Sequence, residues 1–157
     1  MTPLDNPAAN SCFGCGPAHP HGTHLRFYRD GDEVVAVHSP RETDIGWPGM
    51  LHTGLHFMTM MEAGYWAAWE VTGVVHSMFG THAFTQDRLP RTAEDWQARA
   101  RVVARDEGGV PVVTETLARQ GGRATGRLLA HWRPVSRDLV ARAGLDLPDY
   151  ITQDLAP

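Results

Sequence analysis

Lysine is absent from this chain: all 14 basic residues are arginine, set against 18 acidic ones for a formal charge of -4. Neither a basic run nor a basic stripe interleaved with aromatics occurs, which argues against a nucleic-acid partner. Cysteine is scarce too. Its two copies, Cys12 and Cys15, stand too close together to staple a long loop, so a secreted disulfide scaffold is not indicated. No apolar run is long enough to cross a bilayer, and the opening residues MTPLDNPAAN hold neither a charged n-region nor an apolar h-region. The expectation is a cytoplasmic protein with no membrane partner. Internal repeats and low-complexity stretches are also missing.

What is there suffices for one domain: 157 residues, 42% hydrophobic and 20% charged, can bury a real core. Residues 1–11 read as an unstructured arm, and Gly14, Gly16, Pro17, Pro20 and Gly22 make the next stretch irregular. Leu25 to Tyr28 and Val34 to Val37 read as strands around the turn Asp30-Gly31-Asp32. A polar loop, Pro40 to Gly49, leads to a proline-free stretch from His52 to about Val71. Apolar residues fill nearly every face there, as in a helix buried on most sides and ended by Gly73. His82 to Leu89, Trp96 to Arg105, Val110 to Arg119 and Arg123 to Trp132 then read as antiparallel strands, with turns at Pro90, Gly108-Gly109 and Gly121-Gly122. Ser136 to Ala143 predicts a short helix and Pro148 to Pro157 a tail. The fold class is α+β, a sheet wrapped on one long helix.

The most informative stretch is GWPGMLHTGLHFMTMMEA, Gly46 to Ala63. A Gly/Pro-rich loop runs into a helix whose start carries His52, Thr53 and Gly54. Free backbone N–H groups at such a junction, with the positive end of the helix dipole, can hold a polarised carbonyl or a developing oxyanion. The plainer reading is that Gly49 and Gly54 only permit a tight turn and close packing.

Taken in order, CFGCGPAHPHGTHLRF (Cys12 to Phe27), GWPGMLHTG (Gly46 to Gly54), Glu62 and a strand-rich second half resemble the hotdog-fold acyl-CoA thioesterases of the phenylacetate-degradation branch. The resemblance spans roughly residues 11 to 135 and implies a hotdog domain at 12–135, between the arm at 1–11 and an extension at 136–157. It implies no cofactor. In that family a His-Gly-Gly motif opens the central helix, the amide after the His polarises the thioester carbonyl, and an acid nine residues later attacks or activates water. His52 and Gly54 match the motif, and Thr53 replaces its first glycine without removing the amide. At the acid's place stands Met61, which can neither accept a proton nor act as a carboxylate nucleophile. Glu62 follows, turned by about 100° on a helix, where relatives commonly carry a second acid. Gly46 stands where an Asn or Gln is often found.

The replacements are Glu62, if the helix is rotated or bulged, and His56, one turn beyond His52 and able to accept a proton near neutrality. His56 reads equally as a packed core histidine. Thr81 and His82 are further candidates, reaching the site from a partner subunit. A zinc reading sets Cys12 and Cys15 beside His19, His21 and His24, and a lesser one pairs His52 with His56; both stand against purely structural roles. Met58, Met60, Met61, Trp66 and Trp69 read either as ordinary core or as the wall of an acyl tunnel. An all-arginine set suits the phosphates of CoA, although genomic base composition gives the same skew.

Two functions are therefore expected. The first is a thioesterase-like hydrolase acting on an acyl-CoA or related acyl thioester, with the carbonyl at Thr53 and Gly54 and water activated by Glu62 or His56. The alternative is a non-catalytic hotdog protein that binds an acyl thioester or apolar ligand. Open sheet edges and a helix apolar on several faces add the expectation of a homodimer or homotetramer.

Overall fold

The computed structural model describes residues 1–105 and 112–157, with the backbone alone at positions 81 and 82. The turn expected at Gly108-Gly109 and the start of the strand expected at Val110 lie outside the described residues, as do the side chains of Thr81 and His82. Among the described residues nine strands and three α-helices follow one another: β1 Thr2–Pro3, β2 Arg26–Asp30, β3 Glu33–His38, β4 Ile45–Trp47, β5 Met50–Leu51, α1 Thr53–Thr72, β6 His76–Gln86, β7 Trp96–Arg105, β8 Val112–Gln120, β9 Arg123–Pro134, α2 Arg137–Ala143 and α3 Asp149–Thr152. Seven strands form one antiparallel sheet in the order β1-β2-β3-β7-β8-β9-β6, and β4 pairs with β5 apart from it. The sheet wraps around α1, which is the expected hotdog arrangement. No helix among the described residues is long and apolar enough to cross a membrane.

The helix starts and stops where local chemistry dictates. His52, extended at φ -63° and ψ 133°, accepts the Gly54 N–H on its Nδ1 and so caps the first turn. Gly73 ends α1 at φ 70°, donating its N–H to Trp69 O at 2.7 Å. Between these caps, His56, Thr59, Met60, Ala63, Trp66 and Ala67 recur at helical spacing and are buried.

A row of small residues receives them. Ala36, Ala98, Ala118 and Gly126 are directly opposite one another across β3, β7, β8 and β9, and all four are buried. Their shortness lets large helix side chains reach the sheet, with Trp96, Trp132 and Leu128 filling the space to either side. Phe27 stacks on Trp66 at 4.5 Å between ring centroids.

Three expectations change. The opening arm is not unstructured, since Thr2 and Pro3 pair with Arg29 and Tyr28. The strand after the helix begins at His76 rather than His82. The tail is tied down: α3 occupies part of it, Val75 N–H donates to Asp154 O at 2.7 Å, and Ala156 N–H donates to Val135 O at 3.0 Å.

Gly126 has no room for a side chain. A Cβ there would stand 2.6 Å from Thr85 O and 3.0 Å from His56 Cε1, one of them backbone and the other a fully buried ring. Gly126→Ala is expected to destabilise the fold by about 1–3 kcal/mol. Calorimetry should show the melting temperature falling by several degrees, with secondary structure unchanged at 20 °C by circular dichroism.

Candidate active site

The segment Asn10 to Gly16 is a turn built by its own polar atoms. Asn10 Oδ1 accepts the Cys12 N–H at 2.9 Å, Gly16 N–H donates to Cys12 O at 2.8 Å, and Asn10 Nδ2 lies 3.6 Å from Cys15 Sγ. Asn6 Nδ2 donates to Cys15 O, and Thr23 Oγ1 to Gly14 O, both at 2.6 Å. The turn is pressed against α1 at Gly14, where an added Cβ would run into the Glu62 carboxyl. Across 50 residues of sequence, Cys12 Sγ comes 3.8 Å from Glu62 Oε1. The Sγ atoms of Cys12 and Cys15 and a Glu62 oxygen all lie within 4.8 Å of one another, the one such convergence of thiol, imidazole and carboxyl donors among the described residues. His19, His21 and His24 are not part of it, so the cysteine-histidine constellation does not form.

Three ionisable groups this close, with Cys15 and Glu62 buried, cannot all carry charge. Burial, and then the negative charge of the Cys12 sulfur, pushes Glu62 up to about 8. A hydrogen bond from the Cys15 thiol, aided by the amides of Cys15 and Gly14, draws Cys12 down to about 5. Cys15 is pushed up, because its proton is held in that bond and its sulfur is buried. These shifts run in one direction: they draw the cluster's negative charge toward the Cys12 sulfur and favour the protonated form of Glu62.

This cluster sits on the wall of a cavity of about 420 Å³. From α1, Met61, Glu62, Tyr65, Trp66 and Trp69 face it; from the opening segment, Asp5, Asn6, Asn10, Cys12 and Cys15; from elsewhere, His76, Met78, Trp132, Tyr150, Ile151, Gln153 and Asp154. The wall is thus largely aromatic and sulfur-bearing, with a single buried carboxyl among a few polar groups, as suits a mostly apolar ligand held at a few polar points. His76 donates Nδ1–H to Val74 O at 2.8 Å, which fixes its neutral tautomer and leaves Nε2 an acceptor.

The other expected site residues fall elsewhere. His52, Thr53 and Gly54 are exposed and do not line the cavity. The Gly54 amide is not free, because His52 Nδ1 already accepts its hydrogen at 3.0 Å; Thr53, one position earlier, has no such acceptor among the described residues. Nine residues separate Thr53 from Glu62, roughly 13 Å of helix. His56 is fully buried, with Nδ1 3.3 Å from Gln86 Oε1 and Nε2 3.2 Å from Thr125 Oγ1, and its ring meets Trp96 edge-on. Burial lowers its pKa, and it has no face on the cavity. It is the packed core histidine, not a free base. Glu62 alone of the five residues reaches the cavity. Cys12, Tyr65 and His76 join it there; for Cys12 the C-x-x-C spacing was a signal, while nothing in the sequence marked Tyr65 or His76.

No protein-family model matches the chain, and no curated protein is similar to it in sequence. Solved structures share its fold. A thioesterase-like, phenylacetic acid degradation-related protein from Ralstonia eutropha JMP134 superposes with a TM-score of 0.64 at 12% identity, over 76% of this chain and 92% of its own. A hypothetical thioesterase from Streptococcus pneumoniae TIGR4, solved with coenzyme A, gives 0.61 at 10% identity over 69% and 86%. Protein smu.793 from Streptococcus mutans UA159, bound to acetyl CoA, gives 0.61 at 8% identity over the same shares. The likeness is one of fold, and thioesterase superfamily proteins are the structural neighbours.

The two cysteines should differ sharply in reactivity. Under iodoacetamide at pH 7 the native protein should take up one label, at Cys12, with Cys15 modified only after unfolding; peptide mass spectrometry reads this directly. The labelling rate of Cys12 should rise with pH about a midpoint near 5, far below the usual thiol range.

Proposed function

We propose that this protein is a thioesterase-like hydrolase acting on an acyl-CoA or related acyl thioester, with the acyl group in the cavity beside Glu62. The observation that carries the reading is that one buried carboxyl, on the central helix of a fold shared with thioesterases, faces a cavity whose wall is mostly aromatic and sulfur-bearing. Two of the structural neighbours were solved with coenzyme A or acetyl CoA, which supports a thioester of that carrier as the substrate class.

The chemistry follows from the charge state of the wall. Hydrolysis of a thioester expels a thiolate, whose conjugate acid has a pKa of about 8.5. Glu62, protonated up to about pH 8, is closely matched to deliver that proton. Having given it, the carboxylate can take a proton from water. Aromatic rings around it exclude bulk solvent and strengthen each electrostatic contact. The reading thus moves the chemistry from the helix start to the middle of the helix, where Met61 contributes only apolar wall.

Aromatic, short-chain and long-chain acyl-CoAs, assayed by thiol detection, should include at least one that turns over. Glu62→Gln should cut its turnover by at least about 100-fold. The wild-type rate should fall as pH rises through about 8, where Glu62 loses its proton. Asp5, Tyr65, His76 and Asp154 share the cavity with Glu62 and its two cysteines, and the limb near 8 should vanish only with Glu62. Binding without turnover across the whole panel would select the non-catalytic ligand-binding alternative.

A further inference from the structure

The hydrolase reading accounts for Glu62 but leaves unused the side chain nearest to it. Cys12 lies on the cavity wall with its sulfur 3.8 Å from Glu62 Oε1, on a turn that five hydrogen bonds hold in shape. Both cysteines line the cavity, but Cys15 is buried at 5% exposure whereas Cys12 is exposed, so Cys12 is the thiol more open to an incoming substrate. Met61, at the place where the resemblance implies an acid, has no proton or lone pair suited to acyl transfer.

We propose that Cys12 is the nucleophile of the reaction: its sulfur accepts the acyl group from the incoming thioester, and Glu62 serves first as acid and then as base. This inference rests on the hydrolase reading above. In the first half, the Cys12 sulfur adds to the thioester carbonyl carbon. The carbon–sulfur bond to the carrier breaks, and the departing carrier thiolate takes the proton from Glu62 and leaves as a free thiol. The acyl group is now a thioester of Cys12, and Glu62 is a carboxylate.

In the second half, water adds to the acyl carbon while Glu62 takes one of its protons. The bond to the Cys12 sulfur breaks, releasing the carboxylic acid, which loses its own proton to solvent. Cys12 is again a thiolate and Glu62 again protonated. The sum is thioester plus water to thiol plus acid, with no oxidant or reductant. The first half exchanges one thioester for another and places the acyl group on the sulfur of the more acidic thiol, so the acyl enzyme is not a deep trap. The amides of Gly14 and Cys15, directed at the Cys12 sulfur, are the donors at hand for the oxygen that becomes negative. The charge distribution at rest, negative on sulfur and neutral on carboxyl, is the one the first half requires.

The test uses the acyl-CoA turned over best in the panel. Acid quenching within the first turnover, followed by intact and peptide mass spectrometry, should show the acyl mass on the peptide containing Cys12, removable by hydroxylamine. Glu62→Gln, which removes both the acid of the first half and the base of the second, should release CoA slowly and to no more than about one equivalent, with the adduct on Cys12 persisting. Cys12→Ala and Cys12→Ser should both lose at least 100-fold in turnover and form no adduct, with melting temperatures near that of the parent. Turnover that survives Cys12→Ala at the parent rate while Glu62→Gln is inactive would overturn the inference and leave the hydrolase reading intact. An adduct on Cys15 would also overturn it. So would stoichiometric zinc in the purified protein whose removal abolishes turnover. No turnover with any acyl-CoA would overturn both readings together.

Discussion

Cys12, Cys15 and Glu62 occupy a space that admits one charge, and the arrangement around them follows from that constraint. The turn supplies amides to the sulfur that carries the charge, Cys15 supplies a thiol proton, and the helix supplies a carboxyl that stays neutral. Folding relocates a proton in the process. The unfolded chain between pH 5 and 8 keeps it on the Cys12 sulfur and leaves Glu62 ionised; the folded chain reverses both. The number of protons bound is the same in the two states, so over that range this pair adds no slope to the dependence of stability on pH.

That charge arrangement is held in place by packing at two separate points. Gly14 lets the turn close on Glu62, and the row Ala36, Ala98, Ala118 and Gly126 lets α1 settle deep in the sheet. A larger side chain at either point would lift the helix or the turn by the width of a methyl group. With the sulfur and the carboxyl 3.8 Å apart, such a shift is enough to separate them.

Much of this fold is legible in the sequence, because its signals are local. The long helix shows in a proline-free apolar stretch ending at Gly73, and β7 shows in alternation from Trp96, whose bounds match the structure. Where contacts decide, the sequence is silent. His76 joins β6 through pairing with Pro134, and Thr2 and Pro3 become strand only because Tyr28 and Arg29 offer an edge. The site divides in the same way. Glu62 stands out by resemblance, and the two cysteines by spacing, but their meeting depends on a contact 50 residues long. Histidines near in sequence make natural partners for cysteines on paper; the turn instead points the sulfurs at the helix. The cap at His52 is likewise hidden, since residue identity alone does not say whether a ring nitrogen faces out or folds back onto Gly54.

The cavity is roofed by parts of the chain that come from far apart. Asn6 and Asn10 close one side, and Tyr150, Ile151 and Asp154 another, with Val75 tying the latter down through Asp154. These are short segments near the two ends of the chain, held to the rest by hydrogen bonds that span long stretches of sequence, and such elements can open below the free energy of global unfolding. Anything that fills the cavity must therefore suppress their fraying, and their fraying must weaken its hold in equal measure. Amide exchange at Val75, whose hydrogen lies in that seam, is thus a gauge of occupancy that needs no knowledge of what the occupant is.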